Sequence, residues 1–113
     1  MDAGYELKIN DVKWTIYKCG KDDEAIKIDE NSIIFGITKF STASIFVRTE
    51  EMNEDIIYRT LKHELAHAYI YSFGFVGDDM HEENICNFIE SHAENIVNDA
   101  KKIFKEFLKP KEE

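Results

Sequence analysis

The chain has 113 residues, 43% of them apolar and including eight Phe and five Tyr, which argues against extensive disorder and provides for one domain with one modest core. Its formal net charge of −9 repels phosphate backbones, so direct nucleic-acid binding and anionic membranes are disfavoured, while a basic peptide or a cationic protein surface is compatible. Two cysteines, Cys19 and Cys86, make no disulfide framework and read as buried thiols of a reducing compartment. The start, MDAGYELK, lacks the basic and apolar regions of a secretory leader, and no apolar run approaches the ~18 residues of a membrane span; a cytoplasmic location is the expectation.

Taken in chain order, Val12–Cys19 (VKWTIYKC) alternates apolar and polar positions with β-branched and aromatic content, the pattern of a strand. Lys21–Glu30 is charged without a clear period and reads as a loop or a short helix. Ser32–Ile37 (SIIFGI) and Ala43–Arg48 (ASIFVR) read as two further strands joined by a hairpin connection over Thr38–Thr42, giving a small antiparallel or mixed sheet. Trp14, Phe35 and Phe46 are candidate core of that sheet. Asn53 then caps a helix whose first turn carries Glu54 and Asp55, where the helix dipole favours negative charge. This helix is expected to reach about Phe73, with Gly74 as its stop. A second helix is expected from Asp79, with Glu82 completing a capping box, to about Leu108. Lys109–Glu113 reads as a charged tail. The expected domain is a single unit over 1–113.

The first helix carries LKHELAH at residues 61–67. Residues four apart lie on one helix face, so His63 and His67 can aim ring nitrogens at one point, as a tetrahedral zinc site requires. Glu64 lies ~100° round from His63 and reads as sitting at the rim of that face, within reach of a metal-bound water without being a ligand itself. Ile57, Leu61, Leu65 and Ala68 form a separate apolar stripe, so the histidines are not needed to fill the core. Four His and fourteen Glu in 113 residues give about 0.02 chance matches to this pattern. The competing reading is an exposed helix with two solvated histidines.

A catalytic zinc needs a third protein ligand and an open position. The candidates downstream are His81, Glu82, Glu83, Glu90 and His92. The second helix is expected to bury Ile85, Ile89, Ala93 and Ile96. Glu82 points near the middle of that face, but it also has the capping role. Glu83 points off the face, and Asn87 one turn later is placed to orient a metal-bound histidine. The spacing alone leaves Glu82 and Glu83 open.

The stretch LKHELAHAYIY followed by EENICNFIESHAENI resembles the ImmA/IrrE-type metallopeptidases and their short phage-encoded, gluzincin-like relatives, and GITKFSTASIFV resembles the strand segment that precedes their helix. The resemblance covers roughly residues 12–98. It implies a third zinc ligand from a pattern like E-x-x-[AC]-[ND], which starts here at Glu83 with Cys86 and Asn87 following. It also implies that the Ser44–Arg48 strand is the edge that pairs with extended substrate. The substrate it implies is a protein or peptide, such as a transcriptional repressor of a phage or mobile element. The larger relatives carry additional domains for which this chain has no room, and no DNA-reading helix-turn-helix is identifiable.

His81, Tyr69 and Tyr71 are candidates for steadying an oxyanion, but an exposed histidine in a first helical turn and packing tyrosines are the favoured readings. His92 falls on the expected apolar face and reads as a core histidine. The resulting expectation is an α+β, zincin-like domain in which a roughly three-stranded sheet packs on the active-site helix and a second long helix completes the site. One zinc ion is held by His63, His67 and Glu83, and Glu64 serves as the base of a peptidase. The alternative is a non-catalytic, metal-stabilised interaction protein that binds a partner. A zinc hydrolase acting on a non-peptide amide or RNA is a third and weaker class.

Overall fold

A computed structural model of the protein describes residues 4–29, 32–74 and 82–110. Its first element is a hairpin: β1 (Tyr5–Ile9) pairs antiparallel with β2 (Val12–Cys19), Ile9 opposite Val12. The two-residue loop, Asn10 and Asp11, has positive φ at both positions (45° and 68°), the geometry whose twist matches the flanking strands and which Asn and Asp tolerate best after glycine. β1 adds a strand to the three expected from the sequence.

The charged segment after β2 forms a short 3₁₀ turn, Glu24–Ile26, capped by Asp23, and then β3 (Lys27–Asp29). The expected single strand over SIIFGI is two strands instead. β4 (Ser32–Ile33) pairs with β3 in a two-stranded sheet, and β5 (Gly36–Lys39) joins the main one. The expected hairpin connection is correspondingly shorter, because residues 38 and 39 are in β5. β6 (Ser44–Arg48) pairs antiparallel with β5 and parallel with β2, so the main sheet is four-stranded and mixed, ordered β1-β2-β6-β5. The expectation that Ser44–Arg48 is an edge is therefore corrected. β6 has a partner on each side because the chain crosses over between β2 and β5 and returns through β6, which leaves β5 at the rim.

Register fixes the faces, since side chains alternate along a strand. Gly36 pairs with Val47 and Thr38 with Ile45, placing all four on the helix-bearing face, where Ile45 and Val47 are fully buried. Phe46 is on the other face, stacked on Tyr17. Of the expected aromatic core, Trp14 is fully buried and Phe46 partly so, but Phe35 is 49% exposed, because the chain turns there between the two sheets.

α1 (Glu54–Ser72) starts at Asn53, whose side chain accepts from the Asp55 amide at 2.7 Å, and stops before Gly74 at φ +78°. Its buried stripe contains the four expected apolar residues together with Glu64 and Tyr69. The C-terminal end is fastened to the β1–β2 hairpin: Asn10 Nδ2 donates to the Ser72 carbonyl at 2.9 Å, and Trp14 Nε1 donates to Ser72 Oγ at 2.8 Å. α2 (Glu82–Leu108) packs along α1. Asp79, the expected cap, lies outside the described residues. The expected apolar face of α2 is corrected in part, Ile96 being buried as expected. Phe88, Ile96, Ala100 and Ile103 are buried, whereas Ile85 and Ile89 are 41% and 55% exposed. The i, i+4 row from Phe88 leads onto the core, and the larger ring at 88 directs that row, not the isoleucine row, against α1. No helix among the described residues is long and apolar enough to cross a membrane.

Both cysteines are free thiols; Cys19 is buried as expected, whereas the expected burial of Cys86 is corrected, because it lies on the exposed side of α2. Burial, reinforced by the Asp23 carboxylate, pushes the Cys19 thiol up to about 11. A raised thiol stabilises the fold fully below the unfolded value of about 8.5, and that contribution is lost as pH climbs through 11. At pH 8 a thiol-reactive dye is expected to label Cys86 rapidly and Cys19 only on unfolding; two equally fast thiols would contradict this placement.

Candidate metal centre and its surroundings

His63 and His67 project from the exposed side of α1, and their rings meet edge to face at 4.9 Å between centroids and 77° between planes. The Nε2 atoms are 3.3 Å apart. Two imidazole nitrogens bound at ~2.0–2.1 Å to one tetrahedral zinc are separated by about 3.3–3.4 Å. Helical i, i+4 geometry sets this spacing, which is that of two zinc ligands and is also within hydrogen-bond reach of the two rings.

Glu64 is 7% exposed, the only buried charged residue among those described. The sequence placed it at a rim; the structure places it beneath β5. Gly36 makes that approach possible, because a Cβ on Gly36 would come within 2.7 Å of Thr60 Cγ2 and 3.1 Å of Glu64 Cγ. Thr38, also on the helix-facing side of β5, holds the carboxylate: its Oγ1 lies 2.8 Å from Glu64 Oε1 and 3.2 Å from the Glu64 carbonyl oxygen. A hydroxyl has one proton, and the shorter contact to a carboxylate is the stronger acceptor. Oε2 has no partner among the described residues, yet no side-chain oxygen there is both buried and unpaired; Oε2 is therefore accessible. Glu64 and His63 line one open cavity of about 310 Å³ with Phe35, Gly36, Ile56, Arg59 and Thr60.

The sequence pattern places Thr38 in the hairpin connection, whereas it lies in β5. The available signal was the alternation Gly-Ile-Thr-Lys, which places residues 36 and 38 on one face of a strand. Thr38→Val is expected to destabilise the protein by about 1–3 kcal/mol, the cost of leaving a buried acceptor without its donor. Thermal unfolding checks this, and an unchanged Tm would mean water replaces the hydroxyl without loss.

The described residues contain no cluster of three or more His, Cys, Asp and Glu side chains able to hold a metal. Glu90 is exposed, and His92 sits among the rings of Tyr69, Phe73 and Phe88, at 5.7, 4.2 and 5.3 Å; neither joins the histidine pair. Of the five candidate third ligands, this leaves His81 and the side chains of Glu82 and Glu83, all of which lie outside the described residues. The backbone of Glu82 and Glu83 forms the first turn of α2, and Asn87, one turn on, is exposed.

The tyrosines have other work. Tyr69 donates its hydroxyl to Asp99 Oδ2 at 2.5 Å, joining α1 to α2, and burial followed by the Asp99 carboxylate raises its phenol well above the ordinary value. Tyr71 stacks on Phe40 at 5.0 Å and meets Trp14 edge-on at 6.1 Å. Neither lines the cavity beside His63 and Glu64. Comparison with known proteins gives no relative to set beside this geometry: no family model matches the chain, and no curated protein or solved structure matches it significantly.

Proposed function

We propose that the protein is a zinc-dependent peptidase with a zincin-like arrangement, akin to the ImmA/IrrE-type enzymes its sequence resembles. The observation that carries this reading is the 3.3 Å separation of the His63 and His67 Nε2 atoms, which is the spacing of two zinc ligands, with a buried carboxylate on the intervening turn. His63 and His67 would hold the metal, and Glu83 is the proposed third ligand, with Glu82 and His81 as its competitors. When bound, zinc would polarise the scissile carbonyl and bring the pKa of its water towards ~7.

The remaining work falls to the chain's own groups. Glu64 takes the water proton on a carboxylate oriented by Thr38 and returns it to the leaving nitrogen. β5, the edge strand beside α1, offers unpaired backbone groups to an extended peptide, which main-chain hydrogen bonds would hold next to Glu64. The proposed substrate is a regulatory protein such as a transcriptional repressor, acting within the cytoplasm. A purely structural metal site would have no use for a buried base held by a dedicated hydroxyl, which favours the catalytic reading over the non-catalytic interaction protein.

The test is metal content and proteolysis. Wild type dialysed against zinc is expected to retain one equivalent and to hydrolyse a casein-like protein, with both properties lost in His63→Ala and His67→Ala. Failure of wild type to take up zinc would overturn the reading. Four protein ligands in a zinc-loaded structure would make the site structural instead.

A further inference from the structure

The cavity that adjoins the histidine pair carries a charge the peptidase chemistry does not use. It lies between the start of β5 and the N-terminal half of α1, with Phe35 and Ile56 as apolar walls and Arg59 as the one permanent cation among the described residues that line it. Asp55, one turn before Arg59, is spaced for an i, i+4 pair, yet no carboxylate among the described residues forms an ion pair with Arg59. Arg59 is exposed at the mouth of this cavity and has no ion-pair partner among the described residues; in a chain of net charge −9 its planar fork is free to donate bidentately to an incoming carboxylate.

We infer that this cavity is a subsite for an acidic side chain, glutamate or aspartate, of a peptide laid along β5, and that Arg59 selects it. The inference rests on the peptidase reading for the peptide's position, though occupancy of the cavity can be measured without catalysis. At about 310 Å³ the cavity has ample room for one acidic side chain and lies at the small end of ligand sites. Side chains alternate along an extended peptide, so one residue near the scissile bond enters while its neighbours point away. The methylene stem of the acid packs on Phe35 and Ile56, and its carboxylate meets Arg59. Arg59 precedes Glu64 by five residues, about 7.5 Å along the helix axis. That separation sets the points of attachment of the two charges apart along the cavity. The acidic surface as a whole repels such a peptide, but that field is screened beyond ~10 Å at 0.1 M salt. Selection at this position is local.

Two measurements decide it. In the first, the zinc-loaded chain is incubated with a library of end-blocked peptides, and products are read by mass spectrometry. Glu64-dependent cleavage is expected to be enriched about three- to tenfold for Glu or Asp at one position flanking the scissile bond. Arg59→Gln is expected to remove that enrichment, and Arg59→Glu to turn it towards Lys. Cleavage without acidic preference, or a preference that survives Arg59→Glu, overturns the subsite while leaving the peptidase reading intact. In the second, the metal-free ¹⁵N-labelled chain is titrated with acetyl-Ala-Glu-Ala-amide and its Gln counterpart, following the amides of Phe35, Gly36, Arg59 and Thr60. The Glu peptide is expected to bind at least threefold tighter, and Arg59→Gln to equalise the two. Equal affinity for wild type overturns the subsite. The expected difference, found alongside a complete absence of cleavage, would uphold the subsite and sink the peptidase.

Discussion

Glu64→Gln is expected to lower peptide hydrolysis by about 10²–10⁴-fold, the range that a positioned general base supplies, while zinc content and Tm stay close to wild type. The structure gives the reason for this separation. Glutamine keeps the shape of glutamate, and its Oε1 can accept the same proton from Thr38 Oγ1, which now lies 2.8 Å from the carboxylate. Packing beneath Gly36 is unchanged, because the close approach there involves Glu64 Cγ and not its oxygens. What the amide cannot do is take a proton from water. Hydrolysis rate, bound zinc and Tm measured on the same sample distinguish three results. Lost activity with retained zinc fits a base. Lost zinc would make Glu64 a ligand. Unchanged activity would remove it from the chemistry.

Trp14→Ala is expected to be the most damaging single substitution for the fold, at about 3–5 kcal/mol. Trp14 is fully buried in the centre of the core, and its indole N–H is the donor that ties β2 to the last turn of α1 through Ser72. The substitution removes the largest side chain of the core and leaves the Ser72 hydroxyl without that partner. A domain of this size has ~5–15 kcal/mol in total, so the loss is a large share. At roughly 4 °C per kcal/mol, Tm should fall by about 12–20 °C. Trp14→Phe, which retains much of the ring volume, should recover more than half of the loss; equal damage from both would assign the cost to the hydrogen bond.

α1 was readable almost residue for residue, and the causes are local: an Asn cap, acids in the first turn, an apolar stripe at helical spacing and a glycine stop. The same local logic gave the direction of His63 and His67. It failed where a neighbour in space decides. Glu64 is placed by its own helix at a rim, and only β5 lying across it makes it buried. SIIFGI has the composition of one strand, but its two ends pair with different sheets. β6 reads as any half-buried strand, and nothing within Ser44–Arg48 shows that it has partners on both sides. Ile85 and Ile89 satisfy an apolar period that Phe88 overrides, since a helix wheel gives the faces but not the one its partner covers. β1 was within reach: Tyr-Glu-Leu-Lys-Ile alternates, and the Asn-Asp pair that follows is suited to a tight turn.

The parallel pairing of β2 with β6 governs the order in which this domain can assemble. Thr15 is registered against Ser44, so the centre of the sheet closes over roughly thirty residues of intervening chain, with a loop-closure cost that local hairpins do not bear. Until that closure, Ile45 and Val47 offer no surface to α1, and a helix of 19 residues standing alone is only marginally populated in water. Alignment of the two imidazoles thus waits on a non-local step. A metal that binds them should slow unfolding more than it accelerates refolding, and a synthetic 53–74 peptide should hold zinc more weakly than the domain by the free energy of ordering its own helix.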